Sequence, residues 1–196
     1  RLGVAAIIGN IHDILATAAN RFANNRDCRG KGTVRACRIA APQRQIINFL
    51  IFRETGGELQ LLSRMGCDVT TFGNHDFDLG PDGLARAIEA AAGAGHIPAV
   101  VASNADGGAK DVALTDLQRL TRDGIIRRSI VIDRGGIRFG IFGLMGKESI
   151  YYTSGAGAIT FPDAIETAKE MVKLLRETEK VDVVICLSHG GMEKGK

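Results

Sequence analysis

Cys67-Asp68-Val69-Thr70-Thr71-Phe72-Gly73-Asn74-His75-Asp76-Phe77-Asp78-Leu79-Gly80 is the stretch from which the fold of this chain can be read. Val69 to Phe72 are β-branched or aromatic, which predicts a short buried strand. Gly73 ends it. Asn74, His75, Asp76 and Asp78 then gather polar and ionisable groups into five positions, and Gly80-Pro81 punctuates the turn before the next helix. Open α/β sheets place their chemistry where strands end in this way, at the carboxyl edge. Asn offers a neutral oxygen ligand. His is the usual proton carrier near neutral pH, and a neighbouring carboxylate orients it. A plain polar turn leading into a helix is the competing reading of the same residues.

Working outward, Gly57 to Arg64 reads as a helix running into the central stretch, and Leu84 to Ala94 as an Ala-rich helix with Asp82 near its cap. Ile97 to Ser103 reads as the next strand, ending at Asn104. Gly107-Gly108 opens a surface excursion, and Leu114 to Thr121 reads as a short strand or a helical turn. Ile130 to Asp133 and Ile137 to Leu144, joined by Gly135-Gly136, are a hairpin signal. Phe161 to Lys180 predicts a long amphipathic helix with Pro162 in its first turn. Val181 to Leu187 is the last predicted strand and delivers Ser188-His189-Gly190-Gly191. Toward the other end, Leu2 to Ile8 predicts the first strand, followed by the polar loop Gly9 to Asp13 and helical spacing from Ile14 to Phe22. Asn24 to Arg44 reads as irregular, and Ile46 to Phe52 as a strand or the start of a helix. Strands alternating with helices, with one hairpin, predict a mostly parallel α/β protein carrying an antiparallel portion.

The 196-residue chain is long enough for one sizeable core, and its 45% apolar and 24% charged residues are an ordinary globular balance. No apolar run reaches the roughly 18 residues of a membrane-spanning helix. The net charge of +3 is concentrated: between Asn20 and Arg53 stand eight basic residues and one acidic one, Asp27. Such a segment would draw in a phosphate-bearing ligand. Without interleaved aromatics it is a poor nucleic-acid platform, and a solvated loop is the better account of it. The four cysteines make no zinc pattern. Cys28 and Cys37 are spaced to pair in an oxidising compartment, whereas Cys67 and Cys186 adjoin apolar strands and read as buried, inert thiols.

Three of the four histidines, His12, His75 and His189, follow apolar strands directly; His96 precedes one and reads as an exposed loop residue. Parallel strands bring such loops to one rim. Imidazole and carboxylate together suit Zn, Mn and Fe.

Gly73-Asn74-His75-Asp76-Phe77-Asp78 resembles the Gly-Asn-His-Asp/Glu motif of the calcineurin-like metallophosphoesterases, and Phe77-Asp78 is the form of the 5′-nucleotidase branch. Leu61-Leu62, Met65-Gly66-Cys67-Asp68 and Leu79-Gly80 extend the likeness, which runs from about Gly56 to Gly191. The resemblance implies a β-sandwich flanked by helices, a four-layer α/β/β/α arrangement with the site at the strand carboxyl ends. It implies two divalent metal ions (Zn, Mn, Fe, Co or Mg) and hydrolysis of phosphate monoesters, nucleotides foremost, by a metal-bound hydroxide. By the same resemblance His12 would hold the first metal, and Asn74 and His189 the second. His75 would contact the phosphate or protonate the leaving alkoxide, Asp78 would orient His75, and Asp76 would be structural.

Three features depart from the family pattern. Position 10 is Asn where the family has the Asp of Asp-x-His. No Gly-Asp pair offers a bridging carboxylate between Arg38 and Glu54, and Asn48 is a neutral substitute. The Gly-His-x-His motif that should follow the Ser-His strand is not reached before Lys196. The expectation is therefore a catalytic domain cut short at its C-terminal end, with a separate substrate domain in the full-length protein. The start at Arg1 rather than Met leaves room for a removed signal peptide, and the resemblance suggests the periplasm or the cell exterior. A degenerate member serving as a binding scaffold, and a phosphodiesterase on the same fold, are the other readings.

Overall fold

The computed structural model describes residues 5–7, 55–105, 116–153, 156 and 159–190. Its strands are β1 (Ala5–Ile7), β2 (Val69–Thr71), β3 (Ala99–Val101), β4 (Ile126–Arg127), β5 (Ser129–Arg134), β6 (Ile137–Met145) and β7 (Val183–His189). Its helices are α1 (Gly57–Arg64), α2 (Gly80–Ala94), α3 (Asp116–Arg122), α4 (Lys147–Tyr151) and α5 (Ala164–Lys173). One sheet has the order β1-β7-β6-β5, parallel except for the β5–β6 hairpin; the other, β2-β3-β4, is parallel throughout. The expected mixture of parallel strands and one antiparallel hairpin is what forms.

Side-chain alternation along the strands assigns the layers. Val69, Val101, Ile141, Ile185 and Leu187 cluster in the core between the two sheets. The alternate positions point outward under helices. Val100 packs with Leu84, Ala85 and Ile88 of α2 and Leu117 and Leu120 of α3. Phe142, Leu144 and Val184 pack with Met171 and Leu175 on the opposite side. The result is helix, sheet, sheet, helix, the four-layer arrangement expected.

Gly143 marks where the sheets press closest. A Cβ there would overlap Thr71 Oγ1 and the Val101 carbonyl oxygen, and backbone has little room to yield. Gly143→Ala is expected to lower stability by about 1–3 kcal/mol, the usual cost of overpacking a core. Urea unfolding checks it; an unchanged midpoint would mean that the sheets separate freely at this point.

Several expectations shift in detail. α2 begins at Gly80 rather than Leu84, because Pro81 is tolerated in a first helical turn. The Leu114–Thr121 segment resolves as a helix over its described part. The long final helix is shorter than expected: Asp163 is its N-cap, accepting from the N–H groups of Ile165 and Glu166, so Pro162 lies before the helix. Its last residues, Leu174–Thr178, wind as a π-helix. β7 extends two residues further than predicted, so His189 ends the strand instead of following it. Cys67 is disulfide-bonded, not the free thiol expected. Cys186 is free, and burial pushes its thiol up to about 11, which keeps it inert at neutral pH. His96 is exposed, as read from the sequence. The expectations for residues 8–54 and 106–115, including His12, Asn10, Asn48 and the Cys28–Cys37 pair, lie outside the described residues.

Candidate active site

The central stretch folds as its residue types dictate. β2 is buried along its whole length, and Gly73, in extended conformation, hands the chain to a single 3₁₀ turn, Asn74–Phe77. The Asp76 carboxylate accepts from the Gly73 N–H at 2.6 Å, closing the turn on itself. Phe77 points inward and is fully buried, making edge contacts with Phe72 and Phe161. A buried aromatic between two polar neighbours forces the polar ones to the surface.

His75 and Asp78 stand on that outer side. His75 Nδ1 lies 3.1 Å from Asp78 Oδ2. A carboxylate only accepts, so Nδ1 carries the proton and Nε2 is left facing the medium. The two side chains are 56% and 37% exposed, open enough to meet a ligand.

His189 arrives from the other sheet. Strand alternation decides its direction: Ile185 and Leu187 face the inter-sheet core, and His189 continues that row. Its Nε2–H donates to Asn74 Oδ1 at 2.7 Å, across 115 positions of sequence. The structure thus brings together Asn74 and His189, and separately His75 and Asp78, on one rim. His12 lies outside the described residues.

An imidazole nitrogen and a carboxamide oxygen converging from two sheets are donor types suited to Zn, Mn or Fe. They fit as two ligands of one divalent ion. Among the described residues no three His, Cys, Asp or Glu side chains gather around a common point.

Reasoning from sequence missed Asn104. It is 2% exposed, and its carboxamide is bonded on both sides: Nδ2–H donates to Met145 O (2.8 Å) and Pro162 O (3.2 Å), and Oδ1 accepts from Met145 N–H (2.9 Å). The only sequence signal was a polar residue ending an apolar strand.

No protein-family model matches the chain. Among curated proteins, an apyrase of Tabanus yao is 33% identical over 132 residues, covering 67% of this chain and 21% of its own length. The trifunctional nucleotide phosphoesterase protein YfkN of Bacillus subtilis is 30% identical over 151 residues, covering 68% of this chain and 10% of its own. Among solved structures, a 5′-nucleotidase precursor from Thermus thermophilus superposes with a TM-score of 0.57 at 28% identity, covering 72% of this chain and 25% of that one. The chain therefore spans about a fifth or less of the length of these curated relatives. The motif, the four-layer fold and these likenesses agree, and the chain belongs to the 5′-nucleotidase branch of the calcineurin-like metallophosphoesterases, of whose members it spans a part.

Proposed function

We propose that this chain carries part of a metal-dependent centre that hydrolyses phosphate monoesters, nucleotides foremost. The observation that carries the reading is the meeting of Asn74 Oδ1 and His189 Nε2 at 2.7 Å on the same rim as the His75–Asp78 pair. Asn74 Oδ1 and His189 Nε2, the latter after giving up the proton it donates to Asn74, would hold one divalent ion, and His12 would contribute to a second. Two such ions, when bound, neutralise charge on the transferring phosphoryl group and lower the pKa of the attacking water. His75, turned so that Nε2 faces outward, contacts the phosphate and gives a proton to the leaving oxygen. Asp78 accepts from Nδ1–H and orients the ring, so that a second proton carried on Nε2 is the one delivered to the leaving oxygen, and its loss returns the neutral imidazole. Release of phosphate and an alcohol, such as a nucleoside, completes the reaction.

The relatives' names support the substrate class: an apyrase, a nucleotide phosphoesterase and a 5′-nucleotidase precursor. We take the chain as part of the catalytic domain, with base recognition belonging to a further domain of the full-length protein and the site of action in the periplasm or outside the cell. No helix among the described residues is long and apolar enough to cross a membrane.

The test uses the full-length protein. Mn²⁺-dependent hydrolysis of p-nitrophenyl phosphate, with little action on the bis-ester, is the expected result. Asn74→Ala is expected to weaken Mn²⁺ binding by at least the roughly 10–100-fold that loss of a ligand's supporting partner costs. Wild-type metal content in Asn74→Ala would remove Asn74 from the ligand set. A full-length protein without metal or turnover would be a binding module instead, and preference for the bis-ester would make it a phosphodiesterase.

A further inference from the structure

Asn74 follows β2 of one sheet and His189 ends β7 of the other, so their separation depends on what ties the sheets together at this rim. The bidentate Arg134–Asp68 pair (2.9 and 3.3 Å) works at the opposite end, ahead of β2. At the carboxyl rim the tie is made by Ser103 and Asn104, both buried. Ser103 N–H donates to Gly143 O (2.8 Å), and Gly143 N–H donates to Ser103 Oγ (3.1 Å). One step further out, the Asn104 carboxamide copies the N–H and C=O of a strand residue and holds both backbone groups of Met145.

Met145 is the register partner of His189, and the next N–H, of Gly146, donates to His189 O at 2.9 Å. Gly146 and Gly190 are in such close contact that a Cβ on Gly146 would overlap the Gly190 Cα. The line from Asn104 through Met145 and Gly146 to His189 has little slack. A buried carboxamide costs more to desolvate than an apolar side chain of the same size, and what a satisfied one supplies is a defined distance. The hydrogen bond to Pro162 O brings the segment before α5 under the same control.

We propose that Asn104 is a positioning residue that sets the Asn74–His189 spacing through Met145. The inference deepens the reading of Asn74 and His189 as ligands of one ion, but its first readout needs no metal. In the full-length protein, the His189 ring nitrogen signals, assigned by their loss in His189→Gln, report the contact with Asn74. In metal-free Asn104→Ala these signals are expected to shift, and Mn²⁺ affinity by calorimetry is expected to fall roughly 10–100-fold. Leu175→Ala, which opens the core on the far face of β6, is the control: it lowers thermal stability and leaves both readouts at wild type. If Asn104→Ala does not fold, Asn104→Asp repeats the test, since it keeps the volume and the acceptor for Met145 N–H while losing both donated bonds.

Unchanged His189 signals and Mn²⁺ affinity in a folded Asn104 variant would overturn the proposal, as would equal changes in Leu175→Ala. Failure of both Asn104 variants to fold while Leu175→Ala folds would overturn it in favour of a purely structural role. A wild type that holds no Mn²⁺, with His189 signals still shifted by Asn104→Ala, would refute the ligand reading and leave the positioning role in place.

Discussion

His75→Ala in the full-length protein is expected to lower turnover of a phosphate monoester by roughly 10²–10⁴, about 3–5 kcal/mol of barrier. The size follows from the role: a positioned acid that protonates a leaving oxygen acts only in the transition state, so turnover should fall while KM changes little. Stability should hardly move. The His75 and Asp78 side chains are 56% and 37% exposed, and an exposed pair of this kind contributes little to folding. Asp78→Asn should reproduce part of the loss, since the ring would keep its place but lose its fixed tautomer. Steady-state kinetics beside a thermal melt checks both halves. Turnover that survives the substitution would remove His75 from the chemistry, and a large drop in melting temperature would make the pair structural.

Phe77→Ala is expected to cost about 3–5 kcal/mol of folding stability, the range for emptying an aromatic site in a core. Phe77 is fully buried, with ring centroids 5.8 Å from Phe72 and 5.7 Å from Phe161, both edge to face. Such pairs add roughly 0.5–1.5 kcal/mol beyond the area they bury. Because Phe77 lies between Asp76 and Asp78, it anchors the turn that carries His75. Activity should therefore fall through misplacement of the pair, even at temperatures where the variant remains folded. Urea unfolding followed by circular dichroism, with turnover measured below the transition, reads both effects. A loss under about 1 kcal/mol would mean that the turn is held by its backbone bonds, Asp76 N–H to Gly73 O and Asp78 N–H to His75 O, rather than by this side chain. The two substitutions are expected to separate cleanly. One removes chemistry from an intact turn, and the other removes the footing under intact chemistry.

Much of the local structure was legible because its causes are local. Val69 to Thr71 form a strand because β-branched residues suit a pleated, buried position, and Gly73 and Pro81 mark the two ends of the polar turn by their backbone preferences. The β5–β6 hairpin followed from two apolar runs and a pair of glycines, both of which take positive φ in the turn. Boundaries were less legible where neighbours compete. Asp163 takes the cap of α5 because its carboxylate reaches two free N–H groups, and Pro162 is displaced outside the helix. β7 continues to His189 because the paired edge of β6 continues to Met145, a fact about another segment altogether.

By itself, then, the sequence determined the α/β alternation and the polar turn at its centre, through residue preferences that act over a few positions, and its motif carried the resemblance that implied the branch of the family and the four-layer fold. Only the tertiary structure decided how closely residues meet. Local preferences near Asn74 do not point to His189, 115 positions away; the family resemblance paired the two, and the packing of the sheets sets them 2.7 Å apart. Their contact depends on the alternation of β7, on the absence of a side chain at Gly143 that lets the sheets close, and on Asn104 joining their rims. The disulfide at Cys67 was decided in the same way, since a thiol beside an apolar strand carries no sign of its partner. Packing between separate sheets sets distances that no local preference encodes.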